Sequence, residues 1–313
     1  MTAANPDGVP ATDPAHSAND LTRWDEPASL AGLVDRASVD QLLALLGDPD
    51  PAMRWQAGEA LAQTASRLRK HALRASVSPI AASPDYGFTE LLARMAAGLS
   101  SPDALLRTAT ADALGLWDHE AAVNLLESAL QDADYQVRAS VVRALGHIGD
   151  PGSLESLTAA LADPSVWVRR SAADALGNLR ANAAVGPLEN ALSDPQPLVR
   201  SAAASALGHI RSARARAVLE RTTRSSDAEL RWYAARSLGQ IGDRASCAAL
   251  SELCREEGVL LFGQSTRDVA TEAIAATEAR DRGLINRLRR VLYALILFVR
   301  RARQPATDDP SAA

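Results

Sequence analysis

Hydrophobic and polar positions follow a pattern along this chain that recurs every 31 residues. In one copy, residues 153–162 place apolar side chains at the spacing of a helix with one buried stripe. Asp163 and Pro164 then break that helix, because proline is unfavourable inside a helix but favourable in a first turn. A second amphipathic helix follows, and Gly177 is expected to end it in the left-handed conformation. Each repeat is therefore predicted to be a helical hairpin whose apolar faces pack on neighbouring hairpins.

An arginine and a glycine mark the register of these hairpins. Five arginines stand 31 residues apart, and a glycine follows each of them after eight residues: Arg107, Arg138, Arg169, Arg200 and Arg231, with Gly115, Gly146, Gly177, Gly208 and Gly239. An earlier copy surrounds Arg54 and a degenerate copy surrounds Arg267. A fixed period of this length is typical of a solenoid, so we predict an all-α solenoid of about seven helical hairpins.

An aspartate stands six residues before the arginine in four copies, and A-x2-ALG follows the arginine, as in VRRSAADALGNL and VRASVVRALGHIGD. This pattern resembles the HEAT repeat, in the short variety first associated with phycobilisome lyases, over residues 37–277. The resemblance implies a right-handed α-α superhelix in which the aspartate and the arginine form a ladder between adjacent repeats. The implied ladder residues are Asp48, Arg54, Asp132, Arg138, Asp163, Arg169, Asp194 and Arg200. Ser101 and Ser225 replace the aspartate in two copies, where we expect a weaker ladder.

Composition divides the rest of the chain into distinct segments. Residues 1–27 and 304–313 are polar and lack an apolar core, which predicts disordered tails. The solenoid is expected over residues 28–277, with an insertion at about 67–88 that forms a longer second helix followed by a surface loop. A smaller insertion around residues 258–264 is expected to pack on the terminal helix.

Residues 283–303 predict a C-terminal helix that differs from the repeats. Its stretch Val291–Val299 is continuously apolar, and six arginines flank it without an acidic residue: Arg287, Arg289, Arg290, Arg300, Arg301 and Arg303. Nine apolar residues are too few to span a bilayer. Three roles stay open for Leu284–Arg303: it caps the last repeat, lies in a membrane surface or docks on a partner. The chain is expected to be cytoplasmic, and peripheral to a membrane under the second role.

Charge and cysteine content argue against several kinds of site. A net charge of −5 and a pI near 5.6 disfavour a nucleic-acid binder, whose affinity depends on neutralising phosphates. Cys247 and Cys254 fall on core positions of the repeat, where cysteine serves as a small apolar residue. No zinc or disulfide spacing appears, and no strained serine elbow or phosphate loop is present. We therefore expect no metal, no cofactor and no catalytic residue.

Function is instead expected on the second helices, which line the concave face of HEAT-type solenoids. Positions one, five and nine after each repeat arginine form an outward row, which we call the concave stripe. Its residues differ from copy to copy while core positions barely change, as expected of a recognition surface. The residues predicted to bind a partner are Trp55, Glu59, Asp112, Arg143, His147, Arg170, Asp174, His209, Trp232 and Arg236.

Two hypotheses of function follow. The first is a non-enzymatic scaffold that binds a protein segment on the concave stripe. The alternative is an E/F-type bilin lyase or bilin chaperone, which attaches an open-chain tetrapyrrole to cysteines of an antenna protein. LRWYAARSLG at residues 230–239 is similar to a segment of the E-type members, although that segment lies near the beginning there. The resemblance implies that Trp232, Tyr233 and Arg236 hold the tetrapyrrole.

Overall fold

The computed structural model describes residues 36–77, 87–117, 119–255, 260–261 and 263–302. The predicted disordered tails at 1–27 and 304–313 lie outside the described residues, as do residues 78–86 of the larger insertion. Along the last helix, the side chains of residues 284–286 and 289–302 are likewise outside the description.

Seven helical hairpins follow one another along the described chain, which confirms the predicted all-α solenoid. The first helices of the hairpins are α1 (Arg36–Leu45), α3 (Phe88–Leu99), α5 (Glu120–Ser128), α7 (Leu154–Ala160), α9 (Val185–Ala191), α11 (Ala213–Thr222) and α13 (Ser246–Leu253). The second helices are α2 (Pro51–Val77), α4 (Ala104–Leu114), α6 (Tyr135–Ile148), α8 (Val166–Leu179), α10 (Pro197–Ile210), α12 (Ala228–Ile241) and α14 (Thr266–Ala302). Short 3-10 turns, Pro151–Ser153 and Asn182–Ala184, precede α7 and α9.

Alanine and leucine fill one continuous core between the two helices of each hairpin and their neighbours. In the fourth hairpin, Leu157 of α7 and Ala172 and Leu176 of α8 are fully buried. Aspartate side chains begin four of the second helices by accepting a backbone N–H bond in the first turn, at Asp50, Asp103, Asp134 and Asp227. Successive second helices pack together more closely than successive first helices, so they form the inner, concave layer of the superhelix.

Four of the five repeating glycines lie inside the second helices, where the prediction that they end helices is wrong, whereas Gly115 directly follows Leu114 and ends α4 in a right-handed conformation. Gly146, Gly177 and Gly208 are within α6, α8 and α10. A Cβ on Gly146 would stand 2.4 Å from the Cβ of Ala175 in the next second helix. The absent side chain is what lets neighbouring second helices approach each other.

Left-handed residues do end these helices, but three residues further along. Gly149, Arg180 and Arg211 have φ values of 71°, 52° and 53° and follow α6, α8 and α10. Glycine is therefore used at only one of the three caps. At the other two caps an arginine adopts the left-handed conformation, which is uncommon for a residue other than glycine.

The repeat arginines join neighbouring hairpins. Arg138 donates from Nη1 to the carbonyl of Asp132 in its own turn, and from Nε and Nη2 to both carboxylate oxygens of Asp163 in the next hairpin, at 2.8 and 2.9 Å. The same arrangement recurs at Arg107–Asp132 and Arg169–Asp194, and Arg200 pairs with Asp227 through a single carboxylate oxygen. Bidentate, charge-assisted bonds of this kind are among the stronger polar interactions in proteins. We call these four pairs the ladder.

The two serine substitutions affect the ladder differently. At Ser225 the pair is kept because Arg200 reaches Asp227, two residues further on, with Nε and Nη2 both on one carboxylate oxygen. At Ser101 no described carboxylate takes the place of the missing aspartate. Arg54 donates to the carbonyls of Asp48 and Pro49, and the structure gives it no carboxylate partner among the described residues.

The described parts of both insertions adopt local structure that continues the hairpins. The larger one lengthens α2 to Val77, as predicted for its helical part. The smaller one forms a two-residue antiparallel strand pair, β1 (Leu260–Leu261) with β2 (Gln264–Ser265). This pair leads directly into α14, and Ser265 Oγ donates to Asp268 at 2.8 Å.

The C-terminal helix is not a separate element, contrary to the division at residues 277 and 283. One uninterrupted helix, α14, runs from Thr266 to Ala302. Its first part is the second helix of the seventh hairpin and packs on α12 and α13.

Candidate functional site

Most residues of the concave stripe are accessible, as a recognition surface requires. Trp55, Glu59, Arg143, His147, Arg170, Asp174, His209 and Arg236 are exposed, and Asp112 is half-buried. Trp232 differs, because only 3% of it is exposed. The expectation that Trp232 stands free on the stripe is therefore wrong, whereas Trp55 at the other end is 58% exposed.

Opposite charges pair with each other along the stripe. Arg143 donates to Asp112 of the preceding hairpin at 2.7 Å and to Ser140 Oγ at 2.9 Å. Arg170 lies 3.7 Å from Asp174, one turn further along α8. Desolvation on the concave face raises the pKa of the Asp174 carboxyl, while the charges of Arg170 and His209 oppose that rise. The pairs are accessible to solvent, so their partners can be exchanged for those of a bound protein at little cost.

The two histidines of the stripe have different surroundings. His147 Nδ1 lies 2.8 Å from the carbonyl oxygen of Gly115, at the end of α4. That contact fixes the His147 ring to the preceding hairpin. His209 of α10 instead lines a pocket further along the concave face. The histidines are therefore separate, as the two repeats between them predict.

A pocket of about 490 Å³ lies between α10, α12 and β2. Its lining residues are Ser205, His209, Trp232, Tyr233, Arg236, Ser237, Gln240 and Gln264. The rings of Trp232 and Tyr233 meet edge to face with centroids 5.0 Å apart, and Arg236 Cζ stands 5.4 Å from the Trp232 ring centroid. No carboxylate is among these lining residues, so the pocket suits an anionic or aromatic group. We call it the C-terminal pocket.

A second, smaller pocket of about 160 Å³ lies between α2 and α4 at the other end of the concave face. Trp55, Leu105 and Leu116 supply apolar walls, and Asp112 supplies a carboxylate. We call it the N-terminal pocket. Its composition suits an apolar side chain that is followed by a basic or amide group.

Three exposed apolar residues of the second helices were missed by the sequence analysis. Leu105, Tyr135 and Trp167 are 41%, 42% and 49% exposed. Leu105 and Trp167 stand two residues before the repeat arginine, which is one helical turn ahead of the first stripe position. Extending the stripe backwards by three residues, which is also about one helical turn, would have found both. With Trp55 they place exposed apolar side chains on the first, second and fourth hairpins, which we call the apolar row; Gln136 holds the equivalent position of the third hairpin.

The described part of the chain offers little basis for metal-dependent or thiol-based catalysis. No group of three His, Cys, Asp or Glu side chains among those residues is arranged to hold a metal ion. Cys247 and Cys254 are free and partly buried. Burial raises the pKa of the Cys247 thiol, and nearby acidic groups raise it further, so the thiol is a poor nucleophile at neutral pH.

A family model for HEAT repeats matches three overlapping segments, residues 91–177, 155–231 and 185–275, which together span more than half of the chain. The chain belongs to the HEAT-repeat family. Its fold is also that of Kap95p in complex with RanGDP, at 14% identity and a TM-score of 0.51, over 83% of this chain and 40% of that chain.

Two further structures are similar to this HEAT-repeat protein. An Escherichia coli protein, YibA, is 19% identical with a TM-score of 0.49, over 83% of this chain and 96% of that chain. The complex of CpcE and CpcF of phycocyanin lyase from Nostoc sp. PCC7120 is 19% identical with a TM-score of 0.41, over 76% and 94%. No curated protein matches the chain in sequence. At these identities the structural similarities concern the fold alone.

Proposed function

We propose that this HEAT-repeat protein is a non-enzymatic scaffold whose concave face binds an extended segment of another protein. The observation that carries the proposal is the apolar row of Trp55, Leu105 and Trp167 beside the paired charges of the stripe. Exposed tryptophans in a concave setting are the side chains that contribute most to protein interfaces. The alternating charges beside them supply the polar rim that gives an interface its specificity.

The geometry changes which residues should be tested. Trp232 is buried, so its truncation would remove core packing and confuse loss of binding with loss of stability. Trp55 and Trp167 are half exposed, and truncating them leaves the core intact. Tyr135 offers a matched control, since it is 42% exposed but lies about 100° around the helix from the position of Trp167 in the repeat.

We expect Trp55→Ala with Trp167→Ala to weaken partner binding at least about tenfold, because buried aromatic anchors are typically worth more than about 1.4 kcal/mol. A photo-crosslinking side chain at Leu105 should attach to the same partner, whereas one at Asn124 on the first helix α5 should not. Mass spectrometry identifies the attached peptide, and its affinity for each variant is then measured with that synthetic peptide. Unchanged affinity in the double tryptophan variant, or equal crosslinking from Asn124, would refute the concave-face proposal.

A second candidate function is supported by the C-terminal pocket. It brings together Trp232, Tyr233 and Arg236, the three residues that the bilin hypothesis requires. Its volume of about 490 Å³ is in the range of small-molecule sites. Arg236 is exposed and can pair with a propionate, and the half-buried Tyr233 can contact a pyrrole ring.

If the pocket holds a tetrapyrrole, purified protein titrated with free biliverdin should show a saturable change in its visible absorption spectrum. Arg236→Glu should abolish the change, and Arg170→Glu, an equal charge change elsewhere on the concave face, should preserve it. A spectrum that stays that of free biliverdin, or a response that both variants share, excludes this candidate.

A further inference from the structure

The last helix is far longer than its place in the solenoid requires. α14 has 37 residues, whereas the second helices α6, α8, α10 and α12 have 14 residues each. The difference corresponds to roughly 35 Å of additional helix at 1.5 Å per residue. Packing between hairpins gives no reason for this length.

The helix leaves the solenoid near Arg280. Thr277 is fully buried, and the guanidinium of Arg280 donates to the carbonyl oxygens of Gly239 and Gly242 at the end of α12. The described residues beyond that point are exposed: the Arg282 side chain is 72% exposed, and a Cβ on Gly283 would meet nothing within 4 Å. Leu288 is 59% exposed. We call residues 282–302 the projecting helix.

The sequence gives the projecting helix two faces of opposite character. At about 100° per residue, nine apolar residues fall within an arc of roughly 160°. They are Leu284, Ile285, Leu288, Val291, Leu292, Leu295, Ile296, Phe298 and Val299. The remaining arc carries Arg287, Arg289, Arg290, Arg300 and Arg301, and no acidic residue follows Asp281 within the helix. The same arc also includes Tyr293, Ala294 and Leu297, but all of its charged residues are arginines. A wide apolar face beside a face whose charges are all cationic is typical of helices that lie in a lipid interface.

Charge decides between the occupants that could cover the apolar arc. A second copy of the helix would bring arginines against arginines beside the apolar seam, which is repulsive. The chain as a whole has a net charge of −5, whereas this segment is positively charged. A positively charged segment is attracted to an anionic surface. No described helix has both the length and the apolar character needed to cross a bilayer.

We propose that the projecting helix binds the surface of membranes rich in anionic lipid, with its apolar arc among the acyl chains and its arginines at the headgroups. Insertion of apolar side chains supplies part of the affinity, and attraction of the arginines to anionic headgroups supplies the rest. The solenoid and its concave face would then be held at the membrane surface.

The test is co-sedimentation of the full chain with vesicles. It should bind vesicles of phosphatidylcholine mixed with phosphatidylglycerol, bind pure phosphatidylcholine at least about tenfold more weakly, and be released as salt screens the charges. Arg289→Glu with Arg290→Glu, and separately Leu288→Asp, should each reduce binding about tenfold or more. Arg244→Glu with Arg255→Glu, an equal charge change on exposed solenoid residues, should leave binding unchanged.

Two results would overturn the proposal. Absence of binding to the anionic vesicles, or equal binding to both kinds of vesicle, removes the anionic surface as the ligand. Sedimentation velocity tests the other occupant: a dimer of the full chain that Leu288→Asp dissociates would show that a second copy covers the apolar arc. Circular dichroism confirms that each variant keeps its helicity, so a loss of binding is not a loss of fold.

Discussion

Gly146→Ala is expected to destabilise the protein by about 2–3 kcal/mol, because the added methyl group has no space. Its Cβ would stand 2.4 Å from the Cβ and 2.6 Å from the Cα of Ala175. A backbone atom cannot rotate away, so α6 and α8 must separate. Separation loosens the packing of the alanines and leucines around that contact. The gain in helix propensity from glycine to alanine, about 1 kcal/mol, offsets only part of this cost.

Gly239→Ala is the matched control at the same repeat position. There the Cβ would stand 3.3 Å from Ala273, a distance that a shift of a few tenths of an ångström relieves. We expect its stability to stay within about 1 kcal/mol of the parent chain, since propensity and packing nearly cancel. Urea unfolding followed by circular dichroism measures both variants. Equal stability of the two variants would show that close approach of the second helices is not what requires glycine.

These glycines show what the sequence can and cannot reveal about the fold. The 31-residue period, the apolar spacing and the Asp-Pro turns were enough to predict seven hairpins. The role of Gly146 was not predictable, because a glycine near a helix end fits both a left-handed cap and a close helix contact. Only the distance between α6 and α8 separates the two explanations. The true cap, Gly149, was overlooked since Arg180 and Arg211 take its place in other copies.

The candidate site was predictable to the extent that it follows the repeat. Helical spacing correctly gave the exposed positions of Trp55, Arg143 and Arg236. It failed at Trp232, where the repeat is followed by a non-periodic insertion. That insertion contributes Gln264 to the wall of the C-terminal pocket, and no repeat pattern indicates where such a segment folds.

Asp163→Ala is expected to cost about 3 kcal/mol, the typical effect of removing one partner of a largely buried ion pair. The Arg138 and Asp163 side chains are only 13% and 11% exposed. Without the carboxylate, Arg138 keeps a carbonyl bond within its own turn but leaves Nε and Nη2 without Asp163. Because hairpins contact only their neighbours, opening should concentrate between the third and fourth hairpins. Hydrogen exchange in α6 and α8 detects it.

Asp48→Ala provides the comparison for this loss. Asp48 holds the same repeat position in the first hairpin, where no described hairpin precedes it. Its side chain accepts a bond from the amide of Asp50, so its removal should cost less than about 1 kcal/mol. If Asp48→Ala and Asp163→Ala were equally destabilising, the turn itself rather than the bridge between hairpins would be what the aspartate stabilises.

The ladder also predicts how stability depends on pH. Burial alone raises the pKa of the Asp163 carboxyl, but the hydrogen bonds from Arg138 and the Ser165 amide, with the charges of Arg138 and Arg169, bring it below its usual value. A depressed folded-state pKa adds stability above the unfolded-state pKa of about 3.9, and this stability is lost as the pH falls through the folded-state value. The difference in unfolding free energy between the parent chain and Asp163→Ala should therefore be constant near neutrality and shrink below about pH 4. A difference that stayed constant at lower pH would mean that the charge of Asp163 does not act through the ladder.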